Sequence, residues 1–401
     1  MTGRDASTFQ EDPSWASSVV SRIPLINPVC RRVKVPGIAY SGNATDDDPP
    51  DDSEILERIC TAYRHDRAKA GARAAIVEGQ VWGAGGWQGR QADLISALES
   101  GDKTMLAQIL RTFFASHTAH GIAMGSEEHH IVASSAEHAA IYGIQWLDAL
   151  VALSHTVGAV RAPNPEVDRE AWERSLEVDP EEVALAIEAE TGIPMEFPNI
   201  CAVYGPTIKG RVFPTLALSH FFVAHYAMKL LNGPSPSVKE IGGGFGGLAF
   251  FLLRSVEVRY CIFDLPYACA IQAYFLSQAL PDICLRLFGE AQQASARSVQ
   301  ILPAWSLLAG EDPIDDIDLL VNQDCLGDLD GNTALAYLRN LVSGLRGPFL
   351  SIGPDVSGSS RSWAGHRIAE LASAAGGLVL VDRVPFPLRR GYFREIYTPV
   401  R

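Results

Sequence analysis

The chain has 401 residues and a formal net charge of −14, with 33 Lys and Arg against 47 Asp and Glu. This length exceeds one average domain and predicts two domains, or one domain with a large extension. Nucleic acids and anionic membranes are bound through clustered Lys and Arg, so the acidic balance disfavours both partners and favours a small-molecule substrate.

The seven cysteines are scattered and contain no C-x-x-C pair. This pattern argues against a disulfide framework and a zinc knuckle, and it predicts a reducing, cytoplasmic setting. The first residues carry charges and no apolar run, so a secretory signal is not expected. Residues 1–52 lack periodicity and end in the proline-broken acidic run 46–52, which predicts a flexible, solvated tail.

Residues 53–232 are predicted to form an all-helical domain. Ser53 can cap a first helix, Asp102 starts another with apolar residues at three- and four-residue spacing, and Asp179-Pro180 begins a later one. The apolar run 212–231 approaches the length of a membrane span. Because it contains proline, histidine and lysine, it is predicted to be a buried core helix.

After Asn232-Gly233-Pro234 the period changes, and residues 233–401 are predicted to form a second domain. Short apolar runs alternate there with helical segments, which predicts an α/β fold with a doubly wound, mostly parallel, Rossmann-like sheet. The run 392–400 closely follows the preceding strand and suits an antiparallel last strand. The predicted strands are 238–241, 260–263, 283–288, 319–321, 349–352 and 378–381.

A glycine-rich loop, Gly242 to Gly247, follows the first of these strands and contains G-x-G-x-x-G. Bare backbone in such a loop can closely approach a cofactor, and the motif by itself is compatible with NAD. Glu240 would place a carboxylate beside the loop, where a pyrophosphate is repelled and a cationic methionyl amine can be held. This favours S-adenosylmethionine, with an NAD-dependent dehydrogenase as an alternative.

Asp264 ends the next predicted strand, where a carboxylate can accept hydrogen bonds from both ribose hydroxyls of either cofactor. The alternative reading is a helix cap before Pro266. Downstream, the segment around Leu302 offers an apolar face for an adenine, or forms a plain core strand end.

Several ordered segments resemble a bacterial family of sugar O-methyltransferases, which are class I methyltransferases with a helical N-terminal extension. The resemblance covers nearly all of the chain from about residue 80 onward. The family tends to have Ser where Cys325 stands and Glu near Asp328, so the cofactor is better supported than the sugar. The main segments are Glu240 to Ala249, Asp264 to Pro266, Gln272 to Leu276, Asn322 to Asp328, Phe349 to Ile352 and Arg390 to Glu395.

The resemblance implies S-adenosylmethionine as cofactor, with S-adenosylhomocysteine as product. It also implies methyl transfer to a hydroxyl of a sugar or a similar polar natural-product intermediate. The expected cofactor-binding residues are Glu240, Gly242, Gly244, Gly246, Asp264, Leu265, Leu302 and Asn322.

Asp324 and Asp328 are the first candidates for the general base, because they follow the fourth predicted strand at the edge where such sheets place their chemistry. Each could instead cap the following turn. Arg390 and Tyr392 are predicted to contact the acceptor, and an ion pair with Glu395 is the alternative.

His225 is a further candidate base, and His220 is a candidate substrate contact. The two histidines lie five residues apart on a predicted helix, so they cannot both face one pocket. A buried structural histidine is the alternative for each.

No metal site is predicted, because the His and Glu residues between His117 and His130 do not form a complete ligand pair. Magnesium could bind through Asp324 and Asp328, although the sequence gives no positive sign of it. An N-methyltransferase on the same fold and a non-catalytic binding protein are further alternatives. The helical domain is expected to shape the acceptor pocket, and it could also form a homodimer.

Overall fold

The computed structural model describes residues 37–40, 51–71, 87–123, 126–164, 166–175, 178–291, 295–309, 316–355, 358–360 and 363–400. Within these ranges the first half is mainly helical. Its helices are α1 (Ser53–Ala70), α2 (Ala92–Ser100), α3 (Lys103–Arg111), α4 (Ser126–Ser134), α5 (Ala136–Val157), α6 (Arg169–Ser175), α7 (Pro180–Thr191) and α8 (Thr215–Leu230).

Two of the three predicted helix starts are confirmed. The carboxylate of Asp102 accepts hydrogen bonds from the first backbone N–H groups of α3, and Asp179 does the same for α7. Ser53 is instead the first residue of α1, and its hydroxyl donates to the carboxylate of Asp51 at 2.7 Å. The prediction that Ser53 caps α1 was therefore wrong.

Three short strands lie in the first half of the chain, and two of them interrupt the predicted all-helical domain. β1 (Ile38–Tyr40), β2 (Tyr204–Ile208) and β3 (Arg211–Val212) form a small antiparallel sheet. Lys209 and Gly210, between β2 and β3, both have positive φ, at 47° and 75°, as a tight hairpin turn requires. Because β1 pairs with β2, the predicted flexible tail is wrong for residues 38–40.

The end of the predicted acidic tail is buried as well. Asp52 is 4% exposed, and its carboxylate accepts two hydrogen bonds from the guanidinium of Arg111, at 2.9 and 2.7 Å. The hydroxyl of Tyr274 donates a third at 2.8 Å. Since Tyr274 belongs to the second half of the chain, this charge-assisted cluster joins the two halves.

In its second half the described chain contains an eight-stranded sheet. The strand order is β12-β13-β9-β8-β4-β5-β7-β6, and only β13 runs antiparallel to its neighbours. This confirms the predicted α/β, Rossmann-like class with an antiparallel last strand. The strands are β4 (Ser237–Ile241), β5 (Arg259–Asp264), β6 (Cys284–Leu287), β7 (Ser298–Pro303), β8 (Leu319–Gln323), β9 (Phe349–Pro354), β12 (Leu378–Pro385) and β13 (Tyr392–Pro399).

Helices and turns connect these strands and cover the sheet. A short hairpin lies between β9 and β12, and a 3₁₀ turn follows β8. The hairpin strands are β10 (Gly358–Ser360) and β11 (Trp363–Gly365), and the 3₁₀ turn is Leu326–Asp328. The helices are α9 (Gly247–Ser255), α10 (Pro266–Ala279), α11 (Ser306–Ala309), α12 (Gly331–Ser343) and α13 (Ile368–Ala375).

β7 was not among the predicted strands, and only its end near Leu302 was considered as a core strand end. The run 283–288 was predicted as the third strand, whereas the corresponding β6 lies at the sheet edge and β7 lies between β5 and β6. Ser298 and Gln300 interrupt the apolar run of β7, and their partial exposure alternates with buried residues. A strand of this length with two polar residues gives a weak periodic signal.

Candidate active site

The glycine loop connects β4 to α9 and has little room for side chains. Gly242 has φ +72°, and a Cβ there would lie 2.3 Å from both Cβ and Sγ of Cys325. A Cβ on Gly243 would lie 2.6 Å from the side chain of Ile262. Gly244 and Gly246 also have positive φ, at 58° and 94°. The loop therefore exposes bare backbone at the carboxyl edge of the sheet, as the predicted cofactor cradle requires.

Asp264 ends β5 and anchors this loop. Its Oδ2 accepts hydrogen bonds from the backbone N–H of Gly244 at 3.2 Å and from Nε2 of Gln272 at 2.6 Å. Its Oδ1 accepts from the backbone N–H of Leu265 at 2.7 Å. Burial raises the pKa of Asp264 to about 6, although these hydrogen bonds act in the opposite direction. The carboxylate lies where the ribose hydroxyls are predicted to bind.

Gln272 was missed as a site residue. Its side-chain amide on α10 is 0% exposed and bridges the loop to β5, because Nε2 also donates to the backbone oxygen of Gly244 at 3.0 Å. Its Oε1 is buried without a hydrogen-bond partner among the described residues. The available signal was a glutamine within the apolar segment Ala270 to Leu276, nearly two turns into the helix that follows Asp264.

Glu240 lies beneath the loop, 2% exposed, and its Oε2 accepts a hydrogen bond from the hydroxyl of Tyr260 at 2.9 Å. A Cβ on Gly243 would lie 3.1 Å from the same Oε2. Burial raises the pKa of Glu240 to about 8, the bond from Tyr260 lowers it, and the charge of Asp264 raises it further. The carboxyl group is thus mostly protonated at pH 7 and would ionise if a cation came close.

Leu265 directly follows β5, Leu302 lies near the end of β7, and they are 7% and 2% exposed. The thiol of Cys269 lies between the two strand ends: its Sγ lies 3.4 Å from the backbone oxygen of Leu302 and 3.6 Å from that of Asp264. The two predicted cofactor residues therefore lie at the ends of neighbouring strands.

Asn322 does not face this space, contrary to the prediction. The side chain is 1% exposed, its Nδ2 donates to Oγ of Ser351 at 2.9 Å, and its Oδ1 accepts from the backbone N–H of Leu326 at 2.8 Å. Both ends of the amide are used within the protein. Asn322 fixes the turn after β8, which carries the acidic residues.

Asp324 stands at this turn with φ +57°, a strained conformation for a residue with a side chain. Nη1 of Arg389 donates to its Oδ2 at 3.0 Å, and the Tyr392 hydroxyl also hydrogen-bonds to Asp324. The Arg389 guanidinium lies 3.9 Å above the ring of Tyr392. Burial raises the pKa of Asp324, and the charge of Arg389 partly offsets this. The fold thus brings together Asp324, a predicted base, and Tyr392, a predicted contact of the acceptor substrate.

Asp324 pairs with Arg389, which was not among the predicted site residues. The acceptor contact of Arg390 stays a prediction, and Glu395, its alternative partner, pairs with Arg383 instead. Arg390 is exposed, and its charge acts on Asp148 of α5, where it lowers a pKa that burial raises. Oδ1 of Asp148 is buried without a hydrogen-bond partner among the described residues. Arg389 and Arg390, adjacent in the loop between β12 and β13, thus act on carboxylates in different halves of the chain.

Asp328 ends the 3₁₀ turn after β8 and is half-buried. Its charge contributes to raising the pKa of Tyr392, after burial and the charge of Asp324. It also acts on the thiol of Cys325, whose pKa is raised mainly by burial. Asp328 therefore belongs to the same cluster as Asp324.

Of the two histidines on α8, His220 contacts the glycine loop. Its ring lies 5.1 Å from that of Phe245, and a Cβ on Gly247 would lie 2.1 Å from its Nδ1. His225 is turned by about 140° around the helix, and burial together with the charge of Lys229 lowers its pKa to about 4. The two histidines therefore face different directions, and the role of His225 as the base stays a prediction.

An aromatic cavity lies between the helical half and the glycine loop. Its volume is about 20 Å³, and Phe245 of the loop forms one wall. The other walls come from the first half of the chain and the start of α8. They are Phe114, Ala123, Tyr142, Tyr204, Pro214 and Leu216.

No family model matches this chain, and no curated protein matches it either. The chain is similar to the mitomycin 7-O-methyltransferase MmcR, with 13% identity, 87% of this chain and 96% of that chain covered, and a TM-score of 0.36. It is similar to the pyocyanin biosynthetic protein PhzM, with 15% identity, 64% and 96% covered, and a TM-score of 0.33. For the CcbJ methyltransferase from Streptomyces caelestis these values are 15%, 46%, 90% and 0.32. Identities and TM-scores this low do not identify the reaction of this chain.

Among the described residues, no group of three or more His, Cys, Asp or Glu side chains is arranged to hold a metal ion. In the same part of the chain, no helix combines the length and apolar character needed to cross a membrane.

Proposed function

We propose that this chain is an S-adenosylmethionine-dependent methyltransferase acting on a hydroxyl of a small molecule, a sugar or a similar polar natural-product intermediate. The observation that carries the proposal is a bare-backbone glycine loop between two buried carboxyl groups, Glu240 beneath it and Asp264 beside it. The charge of Asp264 would repel a pyrophosphate, and Glu240 would ionise when an ammonium group binds. The two groups suit an ammonium group and a ribose diol.

The described residues fit this cofactor. The loop backbone from Gly242 to Gly246 would receive its amino-acid part, Asp264 would accept from the ribose, and Leu265 and Leu302 would bound the adenine. When bound, the cofactor supplies an electrophilic methyl group on a sulfonium. The protein then has to align the acceptor oxygen and remove its proton.

Asp324 is the proposed general base. Its pKa is raised by burial, which strengthens it as a proton acceptor, and Arg389 and Tyr392 orient the carboxylate through their hydrogen bonds. The acceptor hydroxyl would pass its proton to Asp324 as the oxygen forms its bond to the methyl carbon. Cys325 contacts the glycine loop and follows Asp324 directly, so the base lies next to the cofactor cradle.

Calorimetric titration of the purified chain with S-adenosylmethionine, S-adenosylhomocysteine and NAD tests the cofactor. We expect the first two to bind and NAD not to bind. A bound ammonium should ionise Glu240, so binding at pH 7 should release up to about one proton. Repeating the titration in buffers of different ionisation enthalpy measures that number.

The matched control is Glu240→Gln, which keeps the shape of the side chain and cannot ionise. It should bind more weakly and release no proton from this position. Binding of NAD alone would contradict the proposal and favour the dehydrogenase.

Asp324→Asn should lower kcat by about 10²-fold, because an amide cannot take the proton of the acceptor. The dissociation constant of S-adenosylhomocysteine should change less than about twofold, since Asp324 lies outside the cradle. The measurement is S-adenosylhomocysteine formation with an acceptor found by screening. Asp382→Asn, at the ion pair with Arg394 on the outer strands, is the control and should keep wild-type kcat. An unchanged kcat in Asp324→Asn would rule out this base.

The aromatic lining beside the glycine loop favours a second acceptor class, a hydroxyl on a planar aromatic molecule, which would have to widen the cavity of about 20 Å³. Phe114, Tyr142, Tyr204 and Phe245 line it with ring surfaces, which bind flat apolar molecules better than a sugar. Screening phenols and sugar nucleotides side by side for S-adenosylhomocysteine formation separates the two classes. Turnover of sugars alone would remove the aromatic alternative.

A further inference from the structure

A cavity of about 300 Å³ lies at the carboxyl end of β9, between the outer strands of the sheet and the first turn of α13. Gly353 lines it from β9 and Asp355 from just beyond that strand, Arg383 from β12, Phe393 from β13 and Ala369 from α13. Pockets for small molecules begin at about this volume, in a range of about 300–1,000 Å³. A small ring therefore fits without rearrangement, unlike in the aromatic cavity beside the glycine loop.

Two guanidiniums and two carboxylates of this cavity form one ion-pair network. Oδ1 of Asp355 lies 3.2 Å from Nε of Arg367, and its Oδ2 lies 3.0 Å from Nη2 of Arg383. Nε of Arg383 donates to Oε1 of Glu395 at 2.8 Å, and the hydroxyl of Tyr397 donates to Oε2 of the same carboxylate at 2.7 Å. The two positive and two negative charges cancel, so the network is neutral as a whole.

The network also holds its polar atoms in fixed places. The guanidinium of Arg383 lies 3.8 Å from the centre of the Phe393 ring, which supports it from one side, and Glu395 is buried. A guanidinium has five N–H donors and a carboxylate has about four acceptor positions, so the ion pairs among the described residues leave donors and acceptors for a ligand. Groups that are already held in place lose little conformational entropy when a ligand binds.

These properties suit a neutral polyhydroxyl ring better than an ion. A sugar hydroxyl both donates and accepts, and two vicinal hydroxyls match the paired atoms of a carboxylate or a guanidinium. An anionic ligand would be repelled by Asp355, which lies between the two guanidiniums, and a cationic one would meet Arg367 and Arg383. A flat apolar molecule would remove water from the four charged groups without replacing its hydrogen bonds.

The cavity borders the proposed base. The backbone N–H of Asp324 donates to the backbone oxygen of Ile352 at 3.0 Å, and Gly353 of the cavity is the next residue of β9. Phe393 pairs with Gly353 in the sheet. Tyr392, whose hydroxyl hydrogen-bonds to Asp324, directly precedes Phe393. A single small acceptor can therefore reach from the cavity to Asp324.

We propose, on the basis of the proposed function, that this cavity binds a sugar ring of the acceptor. Vicinal hydroxyls of the ring donate to Asp355 and accept from Arg367 and Arg383. This binding presents another hydroxyl of the same molecule to Asp324. The outer strands and α13 thus select the acceptor, while the glycine loop holds the cofactor.

Saturation-transfer difference NMR with methyl glycosides tests the site directly. The probes are the methyl glycosides of glucose, galactose and mannose, each compared with the glycoside of its uronic acid, which adds one negative charge to the same ring. At least one neutral glycoside should bind with a dissociation constant of about 1–10 mM, and its uronic acid partner should bind at least about fivefold more weakly. Absence of binding by all three neutral glycosides, or tighter binding of the uronic acids, would overturn the proposal.

Ala369→Phe should fill the cavity and weaken glycoside binding by at least about tenfold, because the new ring takes the space beside the ion pairs. Ala374→Phe is the matched control at an exposed position of the same helix outside the cavity, and it should keep the wild-type affinity. Asp355→Asn should weaken binding by about fivefold without filling the cavity, since an amide has one acceptor oxygen where a carboxylate has two. Unchanged affinity in Ala369→Phe, or an equal loss in Ala374→Phe, would contradict the proposed site.

Calorimetric titration of the same variants with S-adenosylhomocysteine separates this proposal from the proposed function. Each variant should bind it within about twofold of the wild-type affinity, because the substituted residues lie outside the glycine loop. Binding of S-adenosylhomocysteine but of no neutral glycoside by the wild-type chain would overturn the sugar site alone. Failure of S-adenosylhomocysteine to bind would overturn the proposed function, and with it the role of a bound sugar as methyl acceptor.

Discussion

Gly242→Ala should abolish measurable binding of S-adenosylhomocysteine and lower the free energy of unfolding by about 2–4 kcal/mol. The added Cβ would lie 2.3 Å from Cβ and Sγ of Cys325, and the backbone has φ +72°. Both the contact and the left-handed conformation oppose any side chain, so the loop must shift out of the cradle. Urea denaturation and calorimetric titration measure the two effects.

Gly353→Ala is the control, because Gly353 does not have positive φ and a Cβ there would meet nothing within 4 Å. Its stability and ligand affinity should stay near the wild-type values. The double variant Gly242→Ala with Cys325→Gly removes the colliding atoms and should recover part of the stability. Binding by Gly242→Ala within about threefold of wild type would show that the loop is not the cradle.

Asp264→Asn should weaken S-adenosylhomocysteine binding by about 2–3 kcal/mol, which is about 30- to 150-fold. The amide group offers one acceptor where the carboxylate offers two, and its Nδ2–H₂ cannot accept from Gly244, Gln272 or a ribose hydroxyl. The pH dependence of binding identifies the group. Since the folded-state pKa of Asp264 is about 6, wild-type affinity should rise as the pH rises through 6, and the variant should lack this step.

Stability should change in the opposite direction over the same range. Burial raises the pKa of Asp264 from 3.8 to about 6, so the folded state binds its proton more tightly than the unfolded state. The resulting stabilisation is complete below pH 3.8 and is lost as the pH rises through 6. Asp282→Asn, at an exposed aspartate, is the control and should show both wild-type pH dependences. An unchanged binding profile in Asp264→Asn would exclude the ribose role.

The sequence by itself predicted the α/β class, the change of period near residue 233 and the antiparallel last strand, and the structure confirms all three. Strand and helix periodicities are patterns of neighbouring residues, so the sequence shows them directly. The run of glycines likewise marks the loop after β4. The position of Asp264 beside that loop also follows from local order, because parallel strands end at the same edge of a sheet.

Only the tertiary structure decided which polar groups meet. Asn322 was predicted to bind the cofactor, but its side-chain amide is hydrogen-bonded to Ser351 and to the backbone of Leu326. Gln272 contacts the glycine loop from α10, a helix whose sequence is otherwise mostly apolar. Arg389 and Arg390 are neighbours with the same side chain, and only one meets Asp324. Asp52 and Asp66 come from the helical half, yet they bond to Tyr274 and Trp305, more than two hundred residues later. Such pairings depend on how the helices pack on the sheet, and sequence spacing carries no signal of that packing.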